Sequence, residues 1–194
     1  MLNFQQKDVT ETTFAGEDFS GTSLVEVRFS HCRFERCDLT SADLCEASFE
    51  SCDFESCNLT NPRIQKTKMQ GVRFVDSRIM GVNFYDGDPF ALDVSFTRCQ
   101  IRLCNFSNLK MKGAEFSGCE IVESDYKKTV LSGASFYGAS FRGTIFHEAD
   151  LEKADFRGAQ GYFIDPTANR IRKARFSLPD ALVLLSGFDV VLDE

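Results

Sequence analysis

The stretch Cys32–Leu59, CRFERCDLTSADLCEASFESCDFESCNL, holds five of the chain's eight cysteines. Four of them form two Cys-x4-Cys pairs, Cys32/Cys37 and Cys52/Cys57, set twenty residues apart. That spacing suggests a metal knuckle or a disulfide ladder. The residues in between suggest something else. Phe34, Leu39, Leu44, Phe49, Phe54 and Leu59 recur every five residues, and each paired cysteine stands two positions before one of them.

The period extends far beyond this stretch. It runs from Phe14 through Phe19, Leu24 and Phe29 to Ile64, Met69, Phe74, Ile79 and Phe84, with Phe4 and Val9 ahead of it. It restarts at Phe96 and continues through Ile101, Phe106, Met111, Phe116, Ile121, Tyr126, Leu131, Phe136, Phe141, Phe146 and Leu151 to Phe156. The position two before each large residue is also restricted, and holds Cys, Ala or Val in most repeats. A period of five matches neither the 3.6 of a helix nor the 2 of a strand. It requires a chain that turns a corner every five residues, burying one large and one small side chain each time. This accounts for 20 Phe in 194 residues.

ADLCE, CDFES, CNLTN, ASFYG, ADLEK and ADFRG fit the pattern A(D/N)LXX, and the sequence resembles the pentapeptide-repeat proteins over residues 4 to 160. The resemblance implies an all-β fold, a right-handed quadrilateral β-helix with four pentapeptides and twenty residues per coil. One such unit cannot bury its own face, so the coils must stack into a solenoid. Residues twenty apart are then expected one above another at about 4.8 Å. Phe14, Phe34, Phe54 and Phe74 form one expected column, and Phe96, Phe116, Phe136 and Phe156 another. Cys32 stacks on Cys52, Cys37 on Cys57 and Cys99 on Cys119, as small hydrophobes in a slot that Ala and Val fill elsewhere. Cys45, just after Leu44, faces out. Zinc requires four converging ligands, whereas neighbouring corners of a square coil point to different walls, so no metal and no cofactor is expected.

The rhythm breaks once, between Phe84 and Phe96, by two residues beyond two repeats. YDGDPFALDV lies there, and Gly87 with Pro89 marks a turn. Residues 85–93 read as a loop carrying Tyr85, Asp86, Asp88, Pro89 and Phe90. Either it projects as a binding loop or it only re-registers two half-solenoids, with Phe90 tucked against a coil. Residues 1–160 are thus read as an interrupted solenoid and residues 161–194 as a capping module. In that tail Ser177 and Asp180 form a candidate capping box and Gly187 a helix stop. Leu178, Ala181, Leu182 and Leu185 share a helical face, and FDVVL, with Phe188, Val190 and Leu192, reads as a short strand. This apolar surface exceeds what a lid needs, and a homodimer interface there is expected.

The solenoid, the single loop and the tail RARFSLPDALVLL resemble the subset that protects DNA gyrase and topoisomerase IV, the Qnr-type quinolone-resistance and albicidin-resistance proteins. That resemblance implies a dimeric rod that mimics duplex DNA and binds the topoisomerase. Residues 1–60 carry 12 Asp/Glu against 4 Lys/Arg, a net −8. Three coils span about 14 Å, a length over which duplex DNA carries about eight charges. The acidic surface expected on this basis comprises Asp18, Glu26, Glu35, Asp38, Asp43, Glu46, Glu50, Asp53 and Glu55, with Glu115, Glu120 and Asp125 further along. The density does not persist, because residues 61–84 sum to +4.

No catalytic constellation, phosphate loop or HExxH is present, so an enzyme is not expected. A total charge of −7 opposes direct nucleic-acid binding. No apolar run reaches membrane-spanning length, and the start lacks the signature of a signal peptide. A cytoplasmic protein without stable disulfides is expected. The alternative function is a non-catalytic scaffold for some other protein.

Overall fold

The structure is a computed structural model and describes residues 7–188 and 190. The chain winds into a parallel β-solenoid of about eight turns. Three-residue strands stack in twenty-residue register. Thr13–Ala15 pairs with Arg33–Glu35, which pairs with Asp53–Glu55, which pairs with Lys68–Val75. On the next wall Asn58–Thr60, Arg78–Met80, Gln100–Arg102, Glu120–Val122 and Ser140–Arg142 follow one another. A third wall is held by single bridges, such as Ser23 to Asp43 and Asn105 to Asp125.

Most corners fall two residues after a buried large side chain, in left-handed backbone. φ is +52° at Arg36, +55° at Ser56 and +53° at Leu103. Side chains tolerate this at about 1–2 kcal/mol per residue. Burial and the inter-coil hydrogen bonds offset that cost. Glycine is obligatory only where the corner is also crowded. At Gly161, φ +69°, a Cβ would collide with the Phe141 carbonyl oxygen, a backbone atom that cannot swing aside.

The core is a set of ring stacks. Phe14, Phe34, Phe54, Phe74, Phe96, Phe116, Phe136, Phe156 and Phe176 form one column with centroids 4.5–5.3 Å apart. The two columns expected from the sequence are therefore one. Phe74 stacks on Phe96 at 5.2 Å across a twenty-two-residue step, so the insertion lengthens one coil without breaking the stack. Phe84, Phe106, Tyr126 and Phe146 form a second column, which meets the first edge-on, as in Phe106 against Phe116 at 88°.

Tyr126 is fully buried in this second column, and its hydroxyl has no hydrogen-bond partner. Burial pushes its pKa well above the usual phenol value. An unsatisfied buried hydroxyl costs about 1–3 kcal/mol. Tyr126→Phe keeps the ring and removes that cost. It is expected to raise the denaturant midpoint without changing the slope; a lowered midpoint would contradict this.

The small inward slot does more than exclude bulk. Every inward thiol but Cys119 reaches a carbonyl of the coil below: Cys37 donates to Phe14 O at 3.4 Å, Cys57 to Phe34 O at 3.2 Å and Cys99 to Phe74 O at 3.4 Å, whereas the Cys119 sulfur accepts the Cys99 N–H. Ser77, Thr67, Thr129 and Thr144 do the same with hydroxyls. Asn169 does so with its amide, donating to Phe146 O at 3.0 Å. Cysteine is thus a small hydrophobe that also donates, and polar residues of similar size replace it. Burial pushes the Cys52 thiol up to about 11 and the Cys57 thiol up to about 12. All eight cysteines are free thiols.

Coil stacking continues past residue 160. Asp150 bridges to Arg170, Asp155–Phe156 pairs with Arg175–Phe176, and Phe176 stacks on Phe156. The tail then departs from the sequence reading. Asp180–Phe188 is a nine-residue 3-10 helix, in which Gly187 is an internal residue rather than a stop. A Cβ on Gly187 would lie 2.8 Å from both Asp165 and Pro166, so glycine lets the helix press against that turn. Ser177 forms no capping box; its hydroxyl accepts the Gly158 N–H of the coil below. With three residues per turn, Val183 and Leu184 pack on the core. Of the set expected as a dimer face, Leu178 and Leu182 are exposed and Ala181 and Leu185 half-buried. Of the expected strand, Phe188 ends the helix, Val190 has no regular structure, and Asp189 and residues 191–194, including Leu192, lie outside the described residues.

Candidate functional site

The interior is filled by side chains, so function must lie on loops, outer walls and ends. The loop is the most distinctive of these. A short 3-10 turn, Phe84–Asp86, buries Phe84 and turns Tyr85 outward, 56% exposed. Gly87 and Asp88 are tied back by backbone bonds to Phe84 O and Thr67 O. The Asp88 carboxylate accepts the Phe90 N–H at 3.0 Å, which closes the turn over Pro89. Ala91 is buried and Leu92 rejoins the ladder beside Met69. Phe90 is left 95% exposed at the tip. The backbone around it is pinned, so an apolar ring is presented from a defined place. Of the two sequence readings of this ring, the projecting one matches the structure and the tucked one does not. Asp86 sits lower, with Gln65 Nε2 at 3.4 Å.

The acidic residues are largely neutralised by the coil above or below. Arg63 pairs with Asp43 at 2.8 Å, Lys66 with Glu46 at 3.0 Å and Arg73 with Asp53 at 2.6 Å. Lys7 pairs with Glu26, and Arg33 reaches both Glu35 and Glu55. Arg102 pairs with Glu120 at 2.8 Å. The +4 segment therefore lies as a basic rung over the acidic coils. Asp18, Asp38 and Asp125 use a carboxylate oxygen to accept the N–H two residues ahead, at 2.8–2.9 Å, and Glu115 does so at 3.0 Å. Among the described residues Glu50 makes neither kind of contact. Exposed pairs of this kind add little stability, but they shorten the range of the negative field. Twenty-residue register makes the pairing: the sequence gives the charges, and only the coil length brings Asp53 beneath Arg73.

The C-terminal end gathers exposed apolar side chains that sequence reasoning only half found. Leu178 is 77% exposed and Phe188 56%. Phe163 and Ile145, missed earlier, are 61% and 55% exposed. Phe146 bridges Ile164, which sets Ile145 and Phe163 at neighbouring places on one outer wall. The signal was present as Phe163 falling outside the period. Among the described residues no group of three or more His, Cys, Asp or Glu converges as a metal site, and no helix is long and apolar enough to cross a membrane.

Solved structures with a similar outline include a trypsin-treated variant of QnrB1, a plasmid-mediated fluoroquinolone resistance protein. It is 21% identical, with 96% of this chain and 90% of that chain covered and a TM-score of 0.43. HetL, a pentapeptide repeat protein involved in heterocyst differentiation regulation in Nostoc sp., is 17% identical over 87% of this chain and 82% of its own, with a TM-score of 0.33. No curated protein matches the chain. Family models for a pentapeptide repeat region match residues 27–100 and 47–126, and those for pentapeptide repeats match residues 3–40 and 127–159. These matches cover most of the chain, the same span as the five-residue period and the left-handed corners, and the protein therefore belongs to the pentapeptide-repeat family.

Proposed function

We propose that the protein is a non-catalytic interaction module whose partner is a type II topoisomerase, DNA gyrase foremost and topoisomerase IV in addition. In this reading it relieves the enzyme of poisoning by a quinolone or a natural gyrase toxin. The observation that carries the interaction reading is Phe90, an apolar ring 95% exposed on a pinned turn. Buried aromatic anchors of this type dominate binding energies at protein interfaces. The choice of topoisomerase rests on the tail and the single loop, which resemble the topoisomerase-protecting subset. Mimicry of DNA, in this reading, rests on rod shape and on the outermost acidic coils, since the third coil is neutralised by Arg63, Lys66 and Arg73. A gyrase supercoiling assay with a poison present tests it: added protein restores supercoiling. No restoration across several poisons, with gyrase from the same source, would remove the topoisomerase from the proposal.

The same reading includes a homodimer through the C-terminal end. Exposed Leu178, Leu182, Phe188 and Val190 support it. Sedimentation of the full chain at micromolar concentration is expected to give twice the monomer mass, and Leu182→Glu with Phe188→Glu to give monomer with an unchanged circular dichroism spectrum. A wild-type monomer would contradict it.

A further inference from the structure

The two inserted residues leave a mark on the wall beyond the loop. Leu92–Thr97 forms a ladder with the coil below it, and to the coil above it gives one bond, from the Phe96 N–H to Glu115 O at 2.8 Å. On the two adjacent walls of the coil above, Lys110 and Glu115 bridge upward to Val130 and Ser135 and make no bridge downward. In neighbouring coils the same backbone amide donates to the coil below. Lys68 N–H bonds Ala47 O, Val130 N–H bonds Leu109 O and Asp150 N–H bonds Thr129 O; Ser135 N–H bonds Ala114 O and Asp155 N–H bonds Ala134 O. Lys110 and Glu115 are the equivalent positions and have no such bond. Between them the wall opens into a cleft of about 130 Å³ lined by Leu92–Ser95 and Lys110–Glu115. The opening reaches the core: Ala114, in the inward slot, is only half-buried, whereas Ala134 and Ala154 are fully buried.

We infer that this cleft is a binding site for a small oxyanion, a carboxylate or a phosphate. Two backbone N–H donors in sequence register with the gap lack a protein acceptor. Lys110 and Lys112 flank Met111 on the same wall, and neither has an ion pair among the described residues. Backbone amides without a protein acceptor, backed by ammonium groups, favour an anion. The volume suits a group of a few heavy atoms. Asp93 lines the same cleft and works against an anion, which makes its removal informative. The Glu115 carboxylate is engaged by the Ser117 N–H and hydroxyl. The cleft begins two residues after Phe90, so a partner surface meeting that ring can place an acidic side chain in it. A free phosphate would use the same donors. The site does not depend on which partner Phe90 engages.

Titration of the ¹⁵N-labelled full chain with inorganic phosphate, and separately with acetate as a model of an acidic side chain, tests this. Saturable shifts centred on the amides of Lys110 and Glu115 are expected. The double variant Lys110→Ala, Lys112→Ala should bind about tenfold more weakly, as for loss of one charge-assisted hydrogen bond, and Asp93→Asn should bind more tightly. Preference for acetate assigns the cleft to a partner's carboxylate; preference for phosphate assigns it to a free anion. Shifts spread over all exposed lysines, an unchanged affinity in the double variant, or no saturation would overturn the site, leaving a cleft filled by water only.

Discussion

Phe116→Ala is expected to destabilise the protein by about 3–5 kcal/mol, as for truncation of a fully packed aromatic. Phe116 is fully buried. Its ring stacks on Phe96 at 5.2 Å and Phe136 at 5.0 Å, and meets Phe106 and Tyr126 edge-on at 5.8 and 5.7 Å. The cavity left by alanine has little means of collapsing, because the segment is tied to the coils on both sides, Phe96 N–H to Glu115 O at 2.8 Å and Phe116 N–H to Ser135 O at 2.7 Å. A domain with total stability of about 5–15 kcal/mol loses a large share of it, and the melting temperature should drop by on the order of 10 °C. Since each coil touches only its neighbours, the loss is local and can split one unfolding transition into two. Guanidinium unfolding followed by circular dichroism measures it. A loss below about 1 kcal/mol would mean that the stack is not what holds the coils together.

The aromatic column also marks how much of the molecule the sequence discloses. Period, corner and inward pair were legible in CRFERCDLTSADLCEASFESCDFESCNL alone, because one physical constraint, a turn every five residues, writes itself into every repeat; the twenty-residue coil came from the family resemblance. The cysteines were legible as slot-fillers. Their hydrogen bonds to the coil below were not, since Cys57 and Ser77 look unrelated until both are seen to donate to a carbonyl twenty-three residues earlier. The break at 85–93 was visible as a miscount, whereas its consequence at Lys110 and Glu115 was not, because unpaired rungs appear only when two coils are compared in space. The tail was misread for a different reason. The set Leu178, Ala181, Leu182 and Leu185 assumed 3.6 residues per turn, whereas Asp180–Phe188 is wound at 3-10 pitch, which turns Val183 and Leu184 to the core. Charge was misread in its reach: Asp53 and Arg73 are distant in sequence and 2.6 Å apart in the solenoid.

Phe90→Ala carries the other large expected effect, on function rather than stability. The side chain is 95% exposed and packs on nothing in its own chain, so its removal leaves the unfolding transition within about 0.5 kcal/mol of wild type. At a binding interface the same truncation of an aromatic anchor costs about 2–4 kcal/mol, roughly thirty- to a thousand-fold in affinity. Protection of gyrase in the supercoiling assay should therefore fall to background at concentrations where wild type restores activity. Asp88→Ala, which frees the turn by removing the carboxylate that accepts the Phe90 N–H, should weaken protection by less, through loss of preorganisation.

The most direct measurement is a binding titration of the purified full chain against purified gyrase, with wild type and Phe90→Ala side by side and both confirmed folded. Saturable binding by wild type that Phe90→Ala loses by at least thirtyfold is the predicted result. Equal binding by the two proteins would place recognition elsewhere on the solenoid, and no binding by wild type would contradict the topoisomerase reading.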